Sequence, residues 1–157
     1  MMNINLKNPI HFLAVGFGSG LIKPAPGTWG SLVGLLLAIF LWYLTASPLF
    51  FVVLSSISFI LGCYLCEKTS QDLGVHDDGR IVWDEIVAIF CLFICLPEYN
   101  WIYYILTFLF FRLFDIIKPY PIRYFDQQLK GGLGIMFDDI LAAIYSLISL
   151  YLIYWVF

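Results

Sequence analysis

Charge is what this chain lacks most. Only 12% of its 157 residues are Asp, Glu, Lys or Arg, against about a quarter in a soluble domain. With 62% of residues hydrophobic and a mean hydropathy of +0.91, there is too little polar surface to cover a water-soluble globule. The expectation is a single integral-membrane domain spanning residues 1–157. Eight Lys and Arg residues are too few for a polyanion-binding face, which excludes nucleic acid as a partner. The four cysteines, Cys63, Cys66, Cys91 and Cys95, lie inside apolar runs and read as small buried hydrophobes. They form neither a secreted disulfide framework nor a convincing zinc site. No Cys-x5-Arg stretch and no Asp-x-Asp pair occurs, and neither His11 nor His76 sits beside an Arg or Ser. Those gaps leave the carboxylates, and a metal they could hold, as the reactive chemistry the chain could support. A continuous signal-peptide core is also missing. The first apolar stretch, Pro9 to Gly20, is broken by His11, Gly16 and Gly18 and reads as a short interfacial or re-entrant element.

What is present is a series of apolar runs between charged loops. Trp29 to Ala46 is uncharged over 18 residues and Pro48 to Cys66 over 19, each close to the ~20 that a spanning helix needs. The Ser47-Pro48 link between them predicts a helical hairpin. Glu67 to Glu85 reads as a polar loop, with Gly74 and Asp77-Asp78-Gly79 as turn signals. Ile86 to Pro97 and Tyr99 to Phe111 are apolar but short, either two spans or a shallower hairpin. A second polar loop, Arg112 to Asp139, carries Pro119, Pro121 and Gly131-Gly132-Leu133-Gly134. Ile140 to Phe157 is the last run, uncharged and with Tyr and Trp near its end like an interfacial belt. The fold class is therefore all-α: a polytopic membrane helical bundle of about five hydrophobic helices, some short or re-entrant, joined by cytoplasmic polar loops.

The orientation follows from where the cations fall. Lys7, Lys23, Lys68, Arg80, Arg112, Lys118, Arg123 and Lys130 all lie in the N-terminal 28 residues, the 67–85 loop or the 112–139 loop. If each run crosses or returns, those three segments share one side, and the positive-inside rule makes it cytoplasmic. Every carboxylate except Glu98 lies on the same side. Asp84-Glu85 opens one helix, where the dipole favours anions. Arg112 and Asp115, three apart, share a helix face that Pro119 and Pro121 should end near Ile117 or Lys118. Asp138-Asp139 opens the last helix.

Carboxylates crowded in this way repel unless a hard cation bridges them, and oxygen-only ligands suit Mg²⁺ or Mn²⁺. Arg112 as a fork and Lys118 as a point charge are natural anion ligands beside such an ion. Taken one pair at a time, the same residues serve equally well as interfacial anchors and salt bridges. Three such pairs on one side favour phosphoryl-group chemistry. The glycine- and hydroxyl-rich stretches Gly16-Phe17-Gly18-Ser19-Gly20 and Ala25-Pro26-Gly27-Thr28-Trp29-Gly30-Ser31 precede a helix start. Their backbone amides could cradle an anion, or Thr28 or Ser31 could cap the helix.

Read in order, these two stretches are followed by Ile81-Val82-Trp83-Asp84-Glu85, by Phe111-Arg112-Leu113-Phe114-Asp115-Ile116-Ile117-Lys118-Pro119-Tyr120-Pro121, and by Gly131-Gly132-Leu133-Gly134-Ile135-Met136-Phe137-Asp138-Asp139. The ordered blocks, over roughly residues 11 to 145, resemble the bacterial phosphatidylglycerophosphatase A family. The resemblance implies an all-helical, Mg²⁺-dependent phosphatase of the bacterial inner membrane, multi-pass, with its site facing the cytoplasm. Its substrate would be a membrane phospholipid, phosphatidylglycerophosphate, and its product phosphatidylglycerol. The family's charged positions map onto Asp84, Glu85, Arg112, Asp115, Lys118, Asp138 and Asp139 as catalytic residues. Asp84, Glu85, Asp138 and Asp139 would hold metal, and Arg112, Lys118, Thr28 and Ser31 would bind substrate. Where some relatives have glycine, this chain has Ala88 and Ala143, a change in packing. Water and an aspartyl nucleophile remain alternatives, as do one or two ions and any oligomeric state. The rival reading is an ion or solute transporter using the same carboxylates, which predicts charge at mid-depth and polar groups on both faces.

Overall fold

The computed structural model describes residues 3–157, and among them only helices and connecting turns occur. The helices are α1 (Pro9–Ala14), α2 (Pro26–Thr45), α3 (Pro48–Leu73), α4 (Trp83–Leu92), α5 (Trp101–Ile117), α6 (Ile122–Gln128) and α7 (Gly131–Val156), with a 3₁₀ turn at Gly16–Leu21. Proline opens α1, α2 and α3, at the first position where no amide hydrogen bond is lost. Side chains of Asn8, Ser47 and Asn100 accept backbone amides at the starts of α1, α3 and α5. Lys118, in the left-handed region at φ 46°, ends α5 just before Pro119, as the two prolines predict.

Three helices, α2, α3 and α7, are long and apolar enough to cross a membrane. Their outward faces expose Leu36, Phe40, Ile57, Ile60, Ile148 and Leu152, a surface suited to lipid and unsuited to water. The centre of the bundle is α4, a short apolar helix. Nine of the ten residues of α4 are buried, as an element apolar on all sides requires. It packs against α2, α3 and α7, while α5 lies against α2 and α7. At 10 residues, or about 15 Å at 1.5 Å per residue, α4 cannot span hydrocarbon alone. Tyr hydroxyls tie down the irregular chain that follows it: Tyr99 donates to the Phe93 carbonyl at 2.9 Å and Tyr151 to the Cys95 carbonyl at 3.0 Å.

Three expectations change. The Ser47-Pro48 link does not fold α2 and α3 onto each other; both pack on α4, which lies between them. Gly34 of α2 permits this, since a Cβ there would stand 2.9 Å from the Ile86 Cα. The polar loop starting at Glu67 shrinks, because α3 continues to Leu73 with Lys68 and Asp72 paired across one turn at 2.8 Å. The last helix opens at Gly131, so Asp138-Asp139 sits two turns inside α7 instead of at its mouth. The glycine run that reads as a loop is helical for a tertiary reason. Gly132 lies where any Cβ would collide with the Cys63 carbonyl of α3, and its amide donates to the Glu67 carboxylate at 2.5 Å.

These directions bring the starts of α2, α4 and α7 and the ends of α3 and α5 to one end of the bundle. Gly132→Ala tests the closest of the contacts there. It should cost about 1–3 kcal/mol through overpacking, read as a lower thermal midpoint in detergent. Gly79→Ala, with open space around the site of its Cβ, should leave the midpoint where it is. Equal midpoints for both variants would show that the α3–α7 spacing is not set at Gly132.

Candidate active site

The first turn of α4 carries Asp84 and Glu85, as expected from the sequence, and α7 brings Asp139 against them. One carboxylate oxygen from each of the three lies within 4.8 Å of the others. All three residues are buried, at 7%, 8% and 3% relative exposure. Asp84 Oδ1, Glu85 Oε2 and Asp139 Oδ2 find no hydrogen-bond donor in the protein. A buried polar atom left unpaired costs about 1–3 kcal/mol, more when charged. Three anions sharing one pocket add mutual repulsion. The donor set is all oxygen, and it could hold a cation.

Asp138 lies elsewhere. Consecutive helical residues point about 100° apart, and Asp138 Oδ2 meets Lys118 Nζ at 2.5 Å. The same ammonium holds Asp126 Oδ1 of α6 at 2.7 Å. Burial alone would pull the Lys118 ammonium down, but Asp138 and Asp126 outweigh it and hold the group above its ordinary range. Lys118 is thus a firmly protonated point charge. Asp126 has no separate sequence signal; it becomes visible only when α6 folds back along α7.

Arg112 forms the third wall. Its Nη1 pairs with Asp115 one turn on, stands 3.7 Å from Glu85 Oε1, and donates to Ser31 Oγ at 3.4 Å. Its Nε is buried without an acceptor, so the guanidinium is not fully spent within the protein. Ser31 in turn donates to the Gly27 carbonyl at 2.8 Å. Helix α2 starts at Pro26 after Ala25, with no side-chain cap, so neither Thr28 nor Ser31 caps it. Thr28 lies partly buried on the same first turn. Gly27 is the tight position: a Cβ there would run into Glu85 Oε1 and come within 3.1 and 3.2 Å of the Arg112 guanidinium. The turn that reads as a phosphate cradle is where α2 approaches the carboxylates and the guanidinium most closely.

The neighbouring loop is pinned separately. Arg80 donates to both oxygens of Asp78, at 2.7 and 2.8 Å. That pair holds the Asp78 carboxyl below its ordinary range. Val82 ties the loop to the Ala14 carbonyl at 2.9 Å just before α4 begins.

With the geometry in place, comparison with known proteins is specific. Residues 12–154 match the family described as phosphatidylglycerophosphatase A. A phosphatidylglycerophosphatase A of Haemophilus influenzae is 54% identical over 156 residues, covering 99% of this chain and 95% of the relative. One of Escherichia coli is 45% identical over 152 residues, covering 96% and 86%. No solved structure matches.

The pairing of Lys118 with buried Asp138 is testable without any assay of activity. Asp126→Asn removes a partly exposed partner and should cost no more than about 1 kcal/mol of stability. Lys118→Met strands Asp138 in a buried position and should cost about 2 kcal/mol or more. Similar thermal midpoints for the two variants would contradict the pairing described.

Proposed function

The chain belongs to the phosphatidylglycerophosphatase A family, and on that premise we propose that it hydrolyses the terminal phosphate monoester of phosphatidylglycerophosphate to phosphatidylglycerol. The observation that carries this reading is the trio of buried carboxylates with unpaired oxygens, flanked by a guanidinium and an ammonium. The oxygen-only donor set fits Mg²⁺, with Asp84, Glu85 and Asp139 as its protein ligands and Asp138 behind them on Lys118. When bound, the ion supplies positive charge for the phosphoryl oxygens and acidifies water there.

The chain's own residues do the rest. Arg112 presents its fork to the equatorial phosphoryl oxygens, where charge persists as the bond to the leaving oxygen lengthens. Asp115 fixes the direction of that fork. Lys118 adds a second positive charge; because its neighbours hold its proton firmly, it acts as a fixed charge and not as the acid for the leaving glycerol oxygen. Ser31 and Thr28, on the turn that Gly27 brings close, complete the substrate-facing wall. The charge side, the loops and this site face the cytoplasm in our reading, within one multi-pass domain of the bacterial inner membrane that comprises α2, α3, α4, α5 and α7. The transporter alternative has no observation in its favour, since the buried ionisable side chains collect at one end of the bundle.

Two experiments decide the proposal. Purified full-length protein should release phosphate from phosphatidylglycerophosphate with Mg²⁺ and stop when a chelator is added. Asp139→Asn should lower kcat by at least about a hundredfold while leaving helical content intact. Undiminished turnover in that variant, or release that ignores the chelator, would sink the metal-carboxylate mechanism. Orientation has its own check. In a background whose four native cysteines are replaced by Ala, a Cys introduced as Asp78→Cys should stay unlabelled in intact cells by a thiol reagent confined to the outside, and prompt labelling would reverse the topology.

A further inference from the structure

Where α5 turns into α6, at Lys118, lies a cavity of about 480 Å³. Ile117, Pro119, Tyr120 and Tyr124 line it around two cations, Lys118 and Arg123. The two cations differ in one respect. Lys118 is held by Asp126 and Asp138, whereas Arg123 has no carboxylate within 4.0 Å among the described residues. Arg112 and Arg80 both have one. An Arg that faces a cavity with its charge unspent is available to an external anion. Tyr120 and Tyr124, exposed and 6.4 Å apart, are residues of the headgroup boundary. The Tyr120 backbone is held by the Tyr145 hydroxyl at 2.9 Å, so the rim of the cavity is anchored to α7.

Lys118 is the wall that the cavity shares with the reactive cluster, since its ammonium meets Asp138 next to Asp139. The substrate named above carries two phosphates joined by a three-carbon glycerol: the terminal monoester and an internal diester. We infer that Arg123 binds the internal phosphodiester of the lipid, with the glycerol linker lying over Lys118 and the apolar Ile117–Pro119 floor. A guanidinium fork matches the two non-bridging oxygens of a diester. Arg123 is then a specificity residue: it favours lipids whose reactive phosphate lies one glycerol beyond a second anion. This rests on the proposed phosphatase reading.

Steady-state kinetics in neutral detergent micelles test it with full-length wild type, Arg123→Gln and Arg123→Lys. For Arg123→Gln, KM for phosphatidylglycerophosphate should rise about tenfold with kcat within about twofold, and Arg123→Lys should fall between. Competition by phosphatidylglycerol, which has the diester alone, should weaken in Arg123→Gln by a similar factor. Competition by phosphatidic acid, which has the monoester alone, should not change. An unchanged KM, a loss confined to kcat, or equal weakening of both competitors would overturn the assignment, the last pointing to general attraction of anionic lipid. No phosphate release by wild type would defeat the parent reading. Release with an Arg123-independent KM would defeat this one only.

Discussion

Everything at one end of this molecule answers to the repulsion among Asp84, Glu85 and Asp139. Three buried carboxylates with oxygens within 4.8 Å of one another stand together only where rigid elements force them, at a cost that a bound cation would offset. Counting the wider site, six carboxylates face two fixed cations, Arg112 and Lys118. Such a cluster attracts cations before it can accept an anion. That ordering follows from charge alone, whatever the substrate.

The architecture supplies the force. Helix α4 is enclosed on all sides, so its apolar residues hold the element in place by burial and not by length. Its amino end, where the backbone amides lack partners, presents Asp84 and Glu85. Asp139 has no such help, two turns into α7. Its position is set by the contact of Gly132 with the Cys63 carbonyl, which fixes the distance and register of α7 against α3. A glycine in a helix is costly in water by about 1 kcal/mol. Here the close approach it allows places a carboxylate.

How much of this could be read from the sequence depends on whether the cause was local. The end of α5 at the two prolines, the Arg112–Asp115 spacing and the Asp84-Glu85 start of α4 are local, and the structure has them where the residues predict. The apolar runs of α2 and α3 were equally legible. The start of α7 was not, because Gly131 to Gly134 has the composition of a loop and becomes helical only against α3. The α2–α3 hairpin failed for the same class of reason: a short link constrains where two helices meet, not whether a third lies between them. Asp126 was invisible because its meaning lies in Lys118, eight residues away across a turn.

The adjacent pair Asp138-Asp139 shows why neighbours in sequence need not be partners in chemistry. On a helix about 100° separates them, enough to send one to Lys118 and the other to Glu85 and Asp84. Had α7 begun at Asp138, both would be frayed end residues sharing water. Two turns of preceding helix remove that freedom and give each a different neighbour. Asp138 then holds the Lys118 ammonium, and Asp139 completes the trio of carboxylates with Asp84 and Glu85. The pair joins two charge environments through one helical backbone, so that neither can shift without the other.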